Sequence, residues 1–337
     1  MRKSLLFLFA LMCSAALNAV TTTKIVGKVN SSDIEEGAEI ILLGPAEIFM
    51  DVNRTLATIK GDFDLIVSGD RTLIIKSSGH GISVGSLTVL YASLEVSSKK
   101  DALNIDRAIM VDGGKLNLSA NGDAIYSRKS GINMFNATVN CTCGTNMSAI
   151  YTPNGSINIS DCNVVARGAK YGIYAEGGSV KLSGNITATA GGWAIVAETD
   201  IELKGGSIIA RSSGTPVSAT KDIVIEADLN ATALGDGASG IYAGGGLMIK
   251  SGYVVSDCSD NGTAIGANGV IALEGGKVEA YGAKYGIFSK TSYIKIQAPL
   301  YCKGAGWAIW AEAGIALNYP YVLHSPTTAI LASNSKT

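Results

Sequence analysis

The chain has 337 residues, 47% hydrophobic and only 16% charged, with 27 basic and 28 acidic side chains and a formal net charge of −1. Lysine and arginine are scattered and form no stripe able to neutralise a phosphate backbone, so the composition excludes nucleic acid as the expected partner.

The first segment, 1–19, has a cationic start at Arg2 and Lys3, an apolar run from Leu5 to Leu17 and a small residue at Ala19. This is the pattern of a secretory signal peptide, and it predicts a secreted or cell-surface protein. The run is too short to span a bilayer and no second long apolar segment follows, so no membrane span is expected. Cys13 would suit a lipid anchor, but Met12 before it is bulkier than such a site normally carries. Without Arg2 and Lys3 the balance is 25 basic against 28 acidic residues. Residues 20–60 contain two strand-like stretches, TTTKIVGKVN and AEIILLG, with Asp33, Glu35 and Glu36 expected to face water. Their irregular spacing predicts an N-terminal cap over an otherwise open sheet edge.

From near position 80 a short phrase, small residue then aliphatic, returns about every 22 residues. Its copies centre on Ile82, Leu103, Ile125, Ile150, Ile173, Ile195, Val217, Ile241, Ile265, Ile287, Ile309 and Ile330. Twelve units at one period predict a solenoid. Between Lys170 and Thr189 the text YGIYA, EGG, SVKLSG, NITATA reads as three short strands and tight turns. Val180 and Leu182 alternate with Ser179, Lys181 and Ser183, which sends one face inward and one outward. No 3.6-residue periodicity follows the first twenty residues, which excludes helical repeats. The expected fold is therefore all-β: a single-stranded parallel β-helix over 61–337, about twelve coils of ~22 residues and on the order of 55 Å long. Known solenoids with this three-strand coil make it right-handed. Gly-Gly pairs at 113–114, 177–178, 205–206 and 275–276 are predicted to turn corners at positive φ.

A longer period overlies the short one. GAKYGIYAEGG…AGGWAIVAE at 168–198 returns as GAKYGIFSKTS…GAGWAIWAE at 282–312, with Trp193 shifted to Trp307 by 114 residues. Cys143 shifts to Cys258 by 115. A five-coil block is read as duplicated, about 121–206 and 237–320.

Sequons Asn-x-Ser/Thr begin at 30, 53, 117, 136, 140, 146, 154, 158, 185, 230 and 261. They read either as glycan acceptors or as outward strand positions filled by small polar residues. The mature cysteines, Cys141, Cys143, Cys162, Cys258 and Cys302, are odd in number and spread over distant coils. Cys143 and Cys162 are about one coil apart, close enough to pair, although buried free thiols fit equally. Cys141-x-Cys143 has no histidine companion for zinc.

Candidate chemistry is sparse. Gly79-His80-Gly81-Ile82-Ser83 resembles the GHGIS segment of polygalacturonases, where the resemblance implies that the histidine supports three aspartates in inverting hydrolysis. His80 is thus the candidate catalytic residue, but the chain has no Asp-Asp pair and no downstream Arg-x-Lys. Asp101 and Asp123 take equivalent places in adjacent coils, about 5 Å apart, and are the candidate cation ligands. They read alternatively as turn aspartates bonding backbone N–H groups. No cofactor is expected.

Aromatic residues give the more coherent pattern. The position after each core aliphatic holds Tyr126, Tyr151, Tyr174, Tyr242, Phe288 and Trp310, and the position two before it holds Tyr171, Trp193, Tyr285 and Trp307. Alternation turns the first column outward; the second follows a turn, which hides its phase. Such columns either stabilise the stack or offer flat platforms to sugar rings. The repeated Ala/Gly-Ile-Tyr-Ala phrase with its following strands resembles secreted bacterial β-helix repeats described as carbohydrate-binding domains, over about 61–331. The resemblance implies an extracellular polysaccharide or other glycan as partner, with Tyr126, Tyr151, Tyr171, Tyr174, Trp193, Tyr285, Trp307 and Trp310 the candidate binding residues. The function expected is non-catalytic glycan binding. An adhesin or structural surface stalk is the second reading, and a polysaccharide hydrolase or lyase the third. The sequence stops at Thr337 within a coil, which predicts end-to-end association or a further C-terminal module.

Overall fold

The computed structural model describes residues 20–326 and 328–332; the signal peptide expected at 1–19 lies outside the described residues. Within that range the chain forms 36 strands and a single 3-10 turn, Ser31–Asp33. Strands pair in parallel with their equivalents one turn away, as when Tyr171–Ala175 pairs with Trp193–Ala197. The result is a solenoid of about fourteen turns. No helix among the described residues is long and apolar enough to cross a membrane.

Three ladders run the length of the stack. The twelve aliphatic positions read from the sequence are consecutive rungs of the first, from Ile82 through Ile173 and Ile195 to Ile330. The ladder continues beyond them, because Ile82 pairs with Ile59, Ile59 with Ile40 and Ile40 with Thr23. Residues 22–60 therefore share the stacking, and Thr22–Asn30 is the outermost strand over the edge of Glu39–Met50. A second ladder stacks Leu65, Leu87, Ile109, Ile132, Ile157, Val180, Ile201 and Ile223. The third tapers from Ile75, Val96 and Leu118 through Cys141 to Ala166, Ala188, Ala210 and Ala231. Between the end rungs, Thr23 and Ile330, these side chains are buried, each large one contributing roughly 1.5–3 kcal/mol. Period-2 alternation is the cause: with inward positions apolar, one continuous core forms between neighbouring turns and the outward row is left for function.

In the central turns the second and third strands run together. Ile157–Gly168, Val180–Ala190 and Ile201–Ser212 are single strands bent at register shifts after Ile159, Leu182 and Lys204. The bend is a bulge at a left-handed residue, Asp161 (φ 55°), Gly184 (102°) or Gly206 (75°), so two expected strands become one. The Gly-Gly pairs divide accordingly. Gly113, Gly114, Gly205, Gly206 and Gly276 have positive φ as expected, but Gly177 and Gly178 do not. There the requirement is room: a Cβ would lie 2.6 Å from the carbonyl oxygens of Pro153 and Gly155 in the previous turn. Gly275 likewise lacks positive φ and is crowded by the Lys250 carbonyl.

Outward asparagines join in amide ladders. Asn140 Nδ2 donates to Asn117 Oδ1, Asn158 to Asn133 and Asn185 to Asn163, each at 2.9 Å. Four sequon asparagines are thereby accounted for as rungs.

The five cysteines of the described residues are all free. Cys162 Sγ accepts from the Ala137 N–H at 3.4 Å, whereas Cys143 Sγ accepts from the Ala169 N–H at 3.3 Å, so the two occupy different corners and the disulfide alternative is not realised. Burial raises the thiols of Cys141 and Cys302 far above their ordinary value and pushes Cys258 up to about 11. Since the thiolate is the nucleophile, native protein from Val20 onward is expected to react with Ellman's reagent at no more than one thiol, the partly exposed Cys143. Release of two or more equivalents before unfolding would contradict this packing.

Candidate functional site

Outward positions of the first ladder carry the aromatic residues, and the structure brings them together in two groups. Tyr126, Tyr151 and Tyr174 stack on successive turns, with centroids 5.5 and 5.4 Å apart. Tyr171 packs against Tyr174 at 4.4 Å and against Trp193 at 5.6 Å. The second column thus also faces outward, Trp193 being 40% exposed. In the second group Tyr285 stacks on Trp307 at 5.2 Å and Phe288 on Trp310 at 4.8 Å.

One module occurs twice on this face. Lys170 Nζ lies 5.0 Å from the Tyr171 ring centre, and Lys284 Nζ lies 5.1 Å from that of Tyr285. Each copy is therefore lysine over tyrosine over tryptophan, five turns apart along one face, roughly 24 Å at the rung spacing. The rings are held before any ligand arrives. Trp193 is caught between Tyr171 and the close backbone of Gly214, where a Cβ would come within 3.2 Å of the indole.

Two acids that sequence reasoning missed fix the phenol hydroxyls. Tyr151 donates to Glu176 and Tyr174 to Glu198 at 3.4 Å; Thr220 also donates to Glu198, at 2.9 Å. Burial, reinforced by these carboxylates, raises both phenols above their ordinary range and keeps them as donors. Tyr242 donates to Asn268 Oδ1 at 2.7 Å in the same way. The signal was in the sequence, since Glu176, Glu198 and Asn268 all stand three residues after a core aliphatic.

The acid–base candidates continue the column of Tyr171 and Trp193 toward the N-terminal end, through Ser148, which pairs with Tyr171. His80 Nδ1 is 3.2 Å from Asp101 Oδ2, without hydrogen-bond alignment. Asp101 Oδ1 accepts from the Asp123 N–H at 2.9 Å, and Asp123 Oδ1 from the Ser148 N–H at 2.6 Å. Both aspartates thus act as turn acceptors, and among the described residues no three His, Cys, Asp or Glu side chains cluster to hold a metal. Asp64 is tied to Arg107 instead of approaching His80.

Residues 46–227 match the model of a family described as carbohydrate-binding domain-containing protein. The chain belongs to this carbohydrate-binding domain family. No curated protein and no solved structure matches it. The family match includes the module of Lys170, Tyr171 and Trp193 and ends before the module of Lys284, Tyr285 and Trp307. Membership supports glycan binding in general and fits a β-solenoid whose outward row is aromatic.

Partly buried Asp123 carries a pH signature. Burial, with a smaller contribution from Asp101, pushes its carboxyl up to about 6 from 3.8. A raised folded-state value means the folded state binds more protons, so the stabilisation is complete below pH ~4 and is lost as pH rises through about 6. The loss is on the order of 2–3 kcal/mol. Asp123→Asn, which keeps the Oδ1 acceptor for Ser148, is expected to match wild type at pH 4 and exceed it at pH 7 in urea midpoint. Equal midpoints at both pH values would refute the shift.

Proposed function

We propose that this secreted or cell-surface carbohydrate-binding domain protein binds an extracellular glycan without catalysis, through the aromatic columns on the lateral face of the first ladder. The observation that carries the reading is the repetition of one Lys-Tyr-Trp module at two points of that face. Tyrosine and tryptophan offer apolar ring surface at low entropic cost, and rings already stacked in place lose little freedom on binding. The carboxylates of Glu176 and Glu198 keep unused lone pairs that can accept sugar hydroxyls beside the rings. Two modules on one line suit an extended polymer lying along the axis, with each sugar contact weak and the sum strong.

A glycan array probed with the chain from Val20, with and without chelator, tests this. Calcium-independent signal that disappears in a Tyr174→Ala/Trp193→Ala/Tyr285→Ala/Trp307→Ala variant of unchanged circular dichroism is the expected result. Absence of signal from folded wild type would overturn the reading, leaving the surface stalk in its place.

A further inference from the structure

The two similar stretches share the Lys-Tyr-Trp module of the first ladder and differ on the third. Where the first copy has Thr138, Thr142, Val165, Arg167, Thr187 and Thr189, the second has Tyr253, Asp257, Glu279, Tyr281, Tyr301 and Lys303. Register confirms that these later residues are neighbours: Asp257 pairs with Tyr281 and Tyr281 with Lys303, while Glu279 pairs with Tyr301. The first stretch folds with four threonines, Val165 and Arg167 there, so the aromatic set is not something the solenoid requires.

The set is organised around one carboxylate. Tyr281 Oη donates to Glu279 Oε2 at 2.7 Å, and Lys277 Nζ is 2.8 Å from Glu279 Oε1. Lys277 also lies 4.8 Å above the ring of Tyr253, which is 42% exposed. Tyr281 and Tyr301 stand 5.5 Å apart at 42°. Beside Tyr281 opens a cavity of about 500 Å³, with Asp257 and Lys303 on its wall and Gly282 and Ala283 at its base. Two cations and two anions balance, which disfavours a charged ligand. Ring surface flanked by fixed donors and acceptors suits a neutral, hydroxyl-rich one.

We propose that this cavity, together with Tyr301 and Glu279 on the other side of Tyr281, is a second saccharide site, for a neutral sugar unit resting on Tyr281 and Tyr301 with its hydroxyls bonded by Asp257, Glu279 and Lys303. It shares with the preceding section only the class of ligand. Its rings stand on the third ladder, and its cavity opens at the corner of Gly282, Ala283 and Ala305 that leads into Tyr285 and Trp307.

The test is fluorine NMR of 3-fluorotyrosine-labelled chain from Val20, assigned with Tyr281→Phe and Tyr301→Phe, and titrated with cellohexaose, xylohexaose, laminarihexaose and maltohexaose. Saturable shifts of the Tyr281 and Tyr301 signals with at least one probe are expected, and they should persist in Trp193→Ala/Trp307→Ala. By calorimetry, Glu279→Val/Tyr281→Arg/Tyr301→Thr/Lys303→Thr, which installs residues the first copy already accommodates, should lose one class of site with at least tenfold weakening. Shifts at Tyr171, Tyr174 and Tyr285 without any at Tyr281 or Tyr301 overturn this site and leave the first-ladder reading standing. Shifts confined to Tyr281 and Tyr301 do the reverse. No shift with any probe, or third-ladder shifts abolished by the tryptophan variant, also overturns the proposal.

Discussion

Trp193→Ala is expected to weaken binding of a long polysaccharide by about 10²-fold or more while leaving a short oligosaccharide bound at the remaining module with unchanged affinity. The reasoning is geometric. Trp193 and Trp307 lie on one face five turns apart, so a polymer that engages one module presents its next units to the other at high effective concentration. Removing one ring ends the simultaneous contact and with it the avidity. A short ligand reaches only one module, so one site is lost and its affinity at Tyr285 and Trp307 stays. Truncating both tryptophans should then weaken short-ligand binding at both modules, since a stacked aromatic anchor contributes on the order of 2 kcal/mol, about 30-fold in Kd. Calorimetry with a polymer and its hexamer separates the effects. Equal losses for both ligands in the single variant would mean that the modules do not act together.

A second large effect falls on the fold. Gly206→Ala should destabilise the solenoid by about 3 kcal/mol or more, and Gly205→Ala by only about 1. Both glycines have positive φ, 61° and 75°, so each substitution places an alanine in the left-handed region. Their surroundings differ. Nothing lies within 4 Å of a Cβ at Gly205, but at Gly206 it would overlap the carbonyl of Gly184 one turn below. That carbonyl cannot retreat without disturbing the bulge at which Val180–Ala190 and Ile201–Ser212 bend together. Urea unfolding of the two variants measures the difference, and similar midpoints would show that the turns are not packed this tightly.

How much of this was legible in the sequence depends on period. The 22-residue recurrence names every rung of the first ladder from Ile82 to Ile330, because a parallel stack puts equivalent positions above one another and burial demands an aliphatic at each. The same logic foretells the Tyr126, Tyr151 and Tyr174 column. It falters where the period is irregular: residues 22–60 join the ladder through Ile40 and Ile59 at gaps that carry no small-Ile phrase. Phase across a turn is also hidden, so the outward aim of Tyr171 and Trp193 needed coordinates. Gly177 and Gly178 show a further limit, since a glycine chosen for positive φ and one chosen to clear a neighbouring carbonyl look alike in sequence. Finally, Glu279, Tyr281 and Tyr301 form no motif along the chain. They become a cluster only when successive turns stack side by side.

The chain contains three tryptophans, Trp193, Trp307 and Trp310, and all of them stand on the first-ladder face. Intrinsic tryptophan emission during a glycan titration therefore reports on that face alone. A saturable change in intensity and wavelength is expected, with the midpoint that calorimetry gives for the class of site lost in Trp193→Ala/Trp307→Ala. Constant tryptophan emission while that class of site fills would contradict binding on the first-ladder face.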